Sequence, residues 1–217
     1  MGANWLRIRT ILNPRMLKPK HVSSYSNTIN EVVTDFIRRV AWLRETNGQG
    51  VMVNDLTEEL YKFAFEGICS VLFETRLGCM NEVRDVDLDK NVEGAYLTQL
   101  VLSEHMTITE ILGSITELLL AGVDTTSNTI SWSLYHLAKE PQIQEQLYQE
   151  VIRACPGDKT HFVSNCVDSS MHSLFSRLYP VVPGNARITA ENEIVVGDYL
   201  FPKKVRPMLI SPSLLRP

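Results

Sequence analysis

Near the middle of the chain, Ala121-Gly122-Val123-Asp124-Thr125-Thr126 sets an acid, two alcohols and a glycine side by side. A carboxylate next to a hydroxyl is a proton-holding pair, so Asp124 and Thr125 are candidates to relay protons to a bound oxygen species. The glycine is unusual inside a helix, where it costs about 1 kcal/mol relative to Ala, and paired Thr residues lose rotamer freedom there. Such a cost is offset if Gly122 lets something flat or bulky approach the backbone, or if a Thr hydroxyl bonds the carbonyl one turn earlier and loosens the helix. A helix crossing accounts for the same residues, with Gly and Thr allowing close packing and Asp124 facing water.

A second concentration of chemistry lies near the start. Arg7, Arg9, Arg15, Lys18 and Lys20 follow one another with no acid among them. That run suits phosphate, carboxylate or an acidic partner, or else a solvated helix face. The whole chain of 217 residues has a net charge of −4 and a pI near 5.8, which argues against a nucleic-acid binder. With 44% apolar and 21% charged residues it has the composition of a globular domain with a real core. Cys69, Cys79, Cys155 and Cys166 form no C-x-x-C pair and have no His at zinc-finger spacing, so neither a metal nor a disulfide framework is expected. Cys69 lies within the apolar run Phe63 to Phe73, where a thiol acts as a small buried hydrophobe. The opening residues Met1 to Trp5 lack an apolar signal core, and the Arg-containing segment behind them reads as a folded helix rather than a transit peptide. The apolar run Leu118 to Val123 is far shorter than the ~20 residues of a membrane span.

The elements that must position these groups are mostly helical. From Ser26 to Leu43, Ile29, Val32, Val33, Phe36, Ile37 and Val40 recur at spacings of three and four. Asn54 or Asp55 can cap a second helix, largely buried, that runs through Leu60, Phe63, Ile68 and Val71 towards Gly78. Residues 81–90 are crowded with acids and amides and read as a junction. Thr107-Ile-Thr-Glu110 has the form of a capping box, and the apolar period continues to Pro141, which predicts a helix of about 30 residues, ~50 Å long. Pro141 suits the first turn of a following helix that stops at Pro156-Gly157. Residues 160–170 carry no usable period. Ala186 to Thr189 and Glu193 to Val196, followed by Gly197-Asp198, predict two short strands and a turn, and Lys203 to Pro217 reads as an untethered tail.

Several segments, in order, resemble the cytochrome P-450 superfamily. Glu117-Leu-Leu-Leu-Ala-Gly-Val-Asp-Thr-Thr126 is similar to its oxygen-activating helix. Trp5-Leu-Arg-Ile-Arg9, with Leu12-Asn-Pro14 and Leu17-Lys-Pro-Lys20 behind it, resembles the family's Trp-x-x-x-Arg helix, whose Trp and Arg hold a haem propionate. Arg177-Leu-Tyr-Pro-Val-Val-Pro-Gly-Asn-Ala-Arg187 resembles the stretch after the Glu-x-x-Arg helix. The segment Ala121 to Leu137 is closest in style to mitochondrial members that act on sterols, vitamin D and retinoids.

The resemblance implies a mainly α fold, a single cytochrome P-450 domain with a few short β-strands near the C-terminus. It implies haem as cofactor, with Trp5, Arg9 and Arg187 on propionates and Ala121 and Gly122 bordering the haem. Asp124 and Thr125 would deliver protons to reduced dioxygen. It further implies a ferredoxin-type electron donor, a lipophilic small-molecule substrate, a mitochondrial inner-membrane setting and peripheral membrane association.

The pattern departs from the family in three places. Residues 81–98 stand where the family has the helices that roof the substrate pocket. Position 174 is Leu where the Glu of Glu-x-x-Arg is expected, which leaves Arg177 without its carboxylate. The chain diverges after Phe201-Pro202, before the loop that supplies a thiolate to iron. The domain is therefore expected to be incomplete and inactive as a haem-thiolate monooxygenase, the product of alternative splicing or misjoining. The alternative is a non-catalytic or unstable helical fragment that acts, if at all, as an interaction module.

Overall fold

A computed structural model of the chain describes residues 3–46, 50, 52–80, 96–103, 105–154, 180–182, 184–186, 192–204 and 208–210. Its elements are α1 (Ala3–Leu17), α2 (Pro19–Ser24), α3 (Ser26–Thr46), α4 (Leu56–Phe73), α5 (Tyr96–Leu102), α6 (Ile108–Lys139) and α7 (Pro141–Ala154). Four short strands follow, β1 (Gly184–Ala186), β2 (Ile194–Val196), β3 (Tyr199–Phe201) and β4 (Met208–Ile210). The mainly α architecture expected from the periodicity is observed.

The ends of the helices are set by identifiable chemistry. Asp55 caps α4, its carboxylate accepting from the Glu58 amide at 2.9 Å. At the head of α6 the capping box is complete: the Thr107 hydroxyl accepts from Glu110 N at 3.3 Å and the Glu110 carboxylate accepts from Thr107 N at 2.9 Å. That cap starts a helix of 32 residues, which yields at Pro141 to α7.

Two expectations about element bounds change. Helix α4 ends at Phe73, short of Gly78, because Glu74 turns into the left-handed region at φ +50° and the chain from 74 to 80 folds back along α4. The first strand is Gly184–Ala186, and its antiparallel partner is β4, which lies inside the segment read as an untethered tail. Three apolar residues between Pro207 and Pro212 supply that pairing, a contact between distant residues that local composition does not signal. Strands β2 and β3 pair as a hairpin across Gly197, at φ +60°, and Asp198.

Helix α6 is the axis of the fold, and α4 runs antiparallel along it. Leu72 packs near Ile111 and Ile115, Ile68 faces Gly122, and the Tyr61 hydroxyl accepts from Asn128 Nδ2 at 3.5 Å, so rising numbers on one helix meet falling numbers on the other. Leu12 of α1 and Tyr96 and Leu100 of α5 complete the buried cluster at the N-terminal half of α6. Arg7 ties α1 to the same end, donating to the His105 carbonyl at 2.8 Å and pairing with Glu110. Helix α3 covers the other side of α4 through buried Val32 and the Phe36–Phe63 ring pair, 4.8 Å between centroids.

Candidate cofactor site

On α1, Trp5 and Arg9 lie four apart and therefore on one face. The Arg9 guanidinium carbon sits 6.0 Å from the centre of the Trp5 ring, a cation over an aromatic face. Arg9 Nε is enclosed and has no hydrogen-bond partner among the described residues. A buried, unsatisfied donor on a permanent cation costs upward of 1–3 kcal/mol, so the position demands an acceptor. The pair thus fits the carboxylate end of a haem.

Of the basic run, Arg7 does not serve an outside partner, because Glu110 and the His105 carbonyl occupy it. Its pairing also fixes α1 about 21 Å along the α6 axis from Asp124. The two candidate clusters therefore stand at different levels of the long helix.

At the second level Ala121, Asp124 and Thr125 share a face of α6, since they are spaced three and four apart. Ala121 and Asp124 are exposed and Thr125 is partly so. The Thr125 hydroxyl donates to the Ala121 carbonyl at 2.6 Å, the back-bond anticipated from the paired threonines. Ser127, Thr129, Ser131 and Ser133 repeat that bond at 2.7–2.8 Å, each to the carbonyl four residues earlier. Thr125 thus keeps its oxygen lone pairs free to accept while its proton is held by the helix. The Asp124 carbonyl accepts from Asn128 Nδ2 at 2.8 Å.

Gly122 lies on a different flank from that trio. A Cβ built on it would come 2.8 Å from Ile68 Cγ1 and 3.2 Å from Ile68 Cβ. The body that approaches its bare backbone is thus a side chain of α4, the helix crossing weighed from sequence. Arg187, Arg177 and Leu174 lie outside the described residues, as do Cys155, Cys166 and the junction at 81–90.

Of the two described cysteines, Cys69 is a poor source of a thiolate. Cys69 is buried in α4, and burial, with Cys79 and Glu66 nearby, pushes its thiol up to about 11. Cys79 is held against the Glu66 carboxylate, to which its backbone amide donates at 3.0 Å.

Sequence reasoning missed a buried ionic network between α3, α4 and the 74–80 segment. Glu66, fully buried, accepts from Arg76 Nε at 2.8 Å and from the Gly78 and Cys79 amides, and Arg76 also reaches Asp35 at 2.7 Å. Burial by itself would raise the Glu66 carboxyl, but the guanidinium and the two amides hold it below the usual carboxylate value. Arg39 pairs with Glu59 and donates to the Met80 carbonyl at 3.0 Å. The Arg39 and Lys62 contacts hold the Glu59 carboxyl low against a smaller opposing effect of burial. The available signal was a lone acid, Glu66, inside the apolar run 63–73, and an Arg at position 39 continuing the Val32–Phe36 stripe.

Comparison with known proteins identifies the class to which this scaffold belongs. The Cytochrome P-450 family profile matches residues 1–103 and 95–216. The sterol 26-hydroxylase, mitochondrial, of Oryctolagus cuniculus is 32% identical over 274 aligned positions, covering 94% of this chain and 51% of the relative. The 25-hydroxyvitamin D-1 alpha hydroxylase, mitochondrial, of Homo sapiens is 33% identical, covering 93% of this chain and 54% of the relative. The chain belongs to the cytochrome P-450 family. It spans about half the length of the curated relatives it matches. The 274 aligned positions exceed its 217 residues, so those relatives carry residues within the aligned stretch that have no counterpart here.

Proposed function

We propose that this chain carries the cofactor-acid and proton-handling parts of a mitochondrial haem monooxygenase for a lipophilic substrate of the sterol, vitamin D or retinoid kind. In such a reaction one oxygen atom of dioxygen enters the substrate and the other leaves as water, with two protons and two electrons consumed; the electrons would come from a ferredoxin-type protein. The observation that carries this reading is the Arg9 guanidinium over the Trp5 ring, with an Nε–H that has no acceptor among the described residues. A bound haem would supply the redox-active iron.

The chain's own groups have definable parts. Trp5 and Arg9 hold a propionate, and Arg187 is assigned to the same task by resemblance. Ala121 presents a small side chain on the open face of α6, where a flat ring can approach, and Gly122 keeps α6 close against α4. Thr125 Oγ1, bonded to the Ala121 carbonyl, accepts a proton from solvent on its free lone pairs and releases its own by rotating away from that carbonyl. Asp124, its neighbour in the chain, is exposed to solvent.

The sequence diverges from the family pattern after Phe201-Pro202, ahead of the segment that supplies the thiolate in the family, and the thiol of buried Cys69 is pushed up to about 11, so the monooxygenase step is expected to be silent in this chain. The test is the absorption spectrum after haem is added, reduced and exposed to carbon monoxide. Binding of one haem without the strong red shift of a thiolate complex is expected, and Arg9→Leu should weaken that binding about tenfold. A red-shifted band would overturn the silent reading, and equal binding by Arg9→Leu would remove the propionate role.

A second reading, a helical interaction fragment, is favoured by exposed apolar side chains on α5 and along the first half of α6. Leu102 is 73% exposed, Ile108 77% and Leu120 68%. Sedimentation velocity should show association rising with concentration, reduced in an Ile108→Lys, Leu120→Lys variant. A monomer at concentrations on the order of 10 μM would sink this reading.

A further inference from the structure

Trp5, Arg9 and Asn13 succeed one another at four-residue spacing along α1, on one line of the helix. Arg9 is not alone in lacking a partner among the described residues. Asn13 Oδ1 is also enclosed and also without a hydrogen-bond partner among the described residues. A leucine at position 13 would have better helix propensity and no polar group to satisfy, so packing alone gives no reason for an amide there.

Side chains on a helix lean towards its N-terminus, which turns Asn13 towards the Arg9 side chain just as Arg9 turns towards Trp5. The oxygen and nitrogen of an amide are nearly identical in shape, and turning the group over exchanges the enclosed acceptor for an N–H donor. In that orientation Arg9 Nε–H and Asn13 Nδ2–H are two donors on one face, one turn apart. A carboxylate is the acceptor that satisfies both, with an oxygen for each.

We propose that Asn13 is a positioning residue for a carboxylate, acting with Arg9 so that the pair grips and orients one acid group. This rests on the haem reading above, in which that acid is a propionate.

The test titrates the full chain with haem and with haem dimethyl ester, which lacks the propionate charges, and follows the main haem absorption band. The wild-type chain is expected to prefer haem. Asn13→Leu should weaken haem about tenfold, the loss of one hydrogen bond to a charged group, and leave the ester within about twofold. Asn13→Asp, nearly the same size, should repel the propionate and weaken haem further while sparing the ester.

Helical circular dichroism of each variant without haem separates misfolding from lost recognition. If Asn13→Leu unfolds the chain, Asn13→Asp decides. A wild-type preference kept in full by a folded Asn13 variant overturns the role of Asn13 alone. A wild-type chain that binds haem and ester equally overturns it together with the propionate reading.

Discussion

Gly122 of α6 and Ile68 of α4 meet where a single added methyl would stand 2.8 Å from the isoleucine Cγ1. This contact, more than any exposed group nearby, dictates what residue 122 can be. Because Ile68 Cβ, which is bonded directly to Cα and does not move when χ1 turns, would also lie at 3.2 Å, a rotamer change cannot relieve the overlap in full. Gly122→Ala is expected to destabilise the chain by about 1–3 kcal/mol in urea unfolding. Adding Ile68→Ala removes the two nearest carbons, so the double variant should be less destabilised than the sum of the singles. Additive effects would show that the two helices separate freely at this level.

Arg76 is expected to matter more for folding than the other cations of α3 and the 74–80 segment. It neutralises Glu66, which has no contact with water, and it bonds Asp35 at 2.7 Å. Arg76→Met leaves a buried carboxylate with no cation beside it, supported by two backbone amides and the Cys79 side chain, and should cost about 3–5 kcal/mol. Arg38→Ala, which removes an exposed pair with Asp35, should cost about 0–1 kcal/mol. Chemical denaturation of both variants checks the contrast.

The same network predicts acid sensitivity. Glu59 and Glu66 titrate below the ordinary value of 4.5 when folded, so the unfolded chain takes up their protons first as pH falls. Their contribution is present above about pH 4.5 and is lost as pH drops from there through the folded values. Glu74 acts in the opposite sense: burial raises it, so its contribution is present below 4.5 and is lost as pH rises through its folded value. Urea midpoints measured from pH 7 down to pH 3 should fall steeply at the acid end, and less steeply in Glu66→Gln. An unchanged slope would mean that Glu66 is not the group being protonated.

Cys69 predicts an effect at the alkaline end. Burial pushes its thiol from the ordinary 9.0 to about 11, so above pH 9 the unfolded chain ionises this group and the folded chain does not. Stability should therefore decline between pH 9 and about 11, and Cys69→Ala should lessen that decline. Alkylation by iodoacetamide at pH 8 should be slow in the folded chain and rapid in urea, with peptide mapping to separate Cys69 from the other three cysteines. Fast labelling of the folded chain would show that α4 opens readily.

The bounds of α6 were legible because their causes are local. The Thr107–Glu110 box, Pro141 and the 3.6-residue apolar period act within a turn or two, and the long helix begins and ends where they require. Family membership was legible for a related reason, since short motifs at Trp5–Arg9 and Glu117–Thr126 keep their residues in order along the chain.

Contacts between residues far apart were not legible. The turn of Glu74 depends on Glu66 gathering the amides of Gly78 and Cys79, and β4 depends on β1, residues away in a different stretch. Composition from Ala121 to Thr126 left Gly122 open to two uses, and only the antiparallel passage of α4 decided that Ile68 fills the space while Ala121, Asp124 and Thr125 stay on the open face. Periodicity fixes which face a residue occupies on its own helix. Which neighbour covers that face is a long-range packing outcome, and the sequence alone carries no term for it.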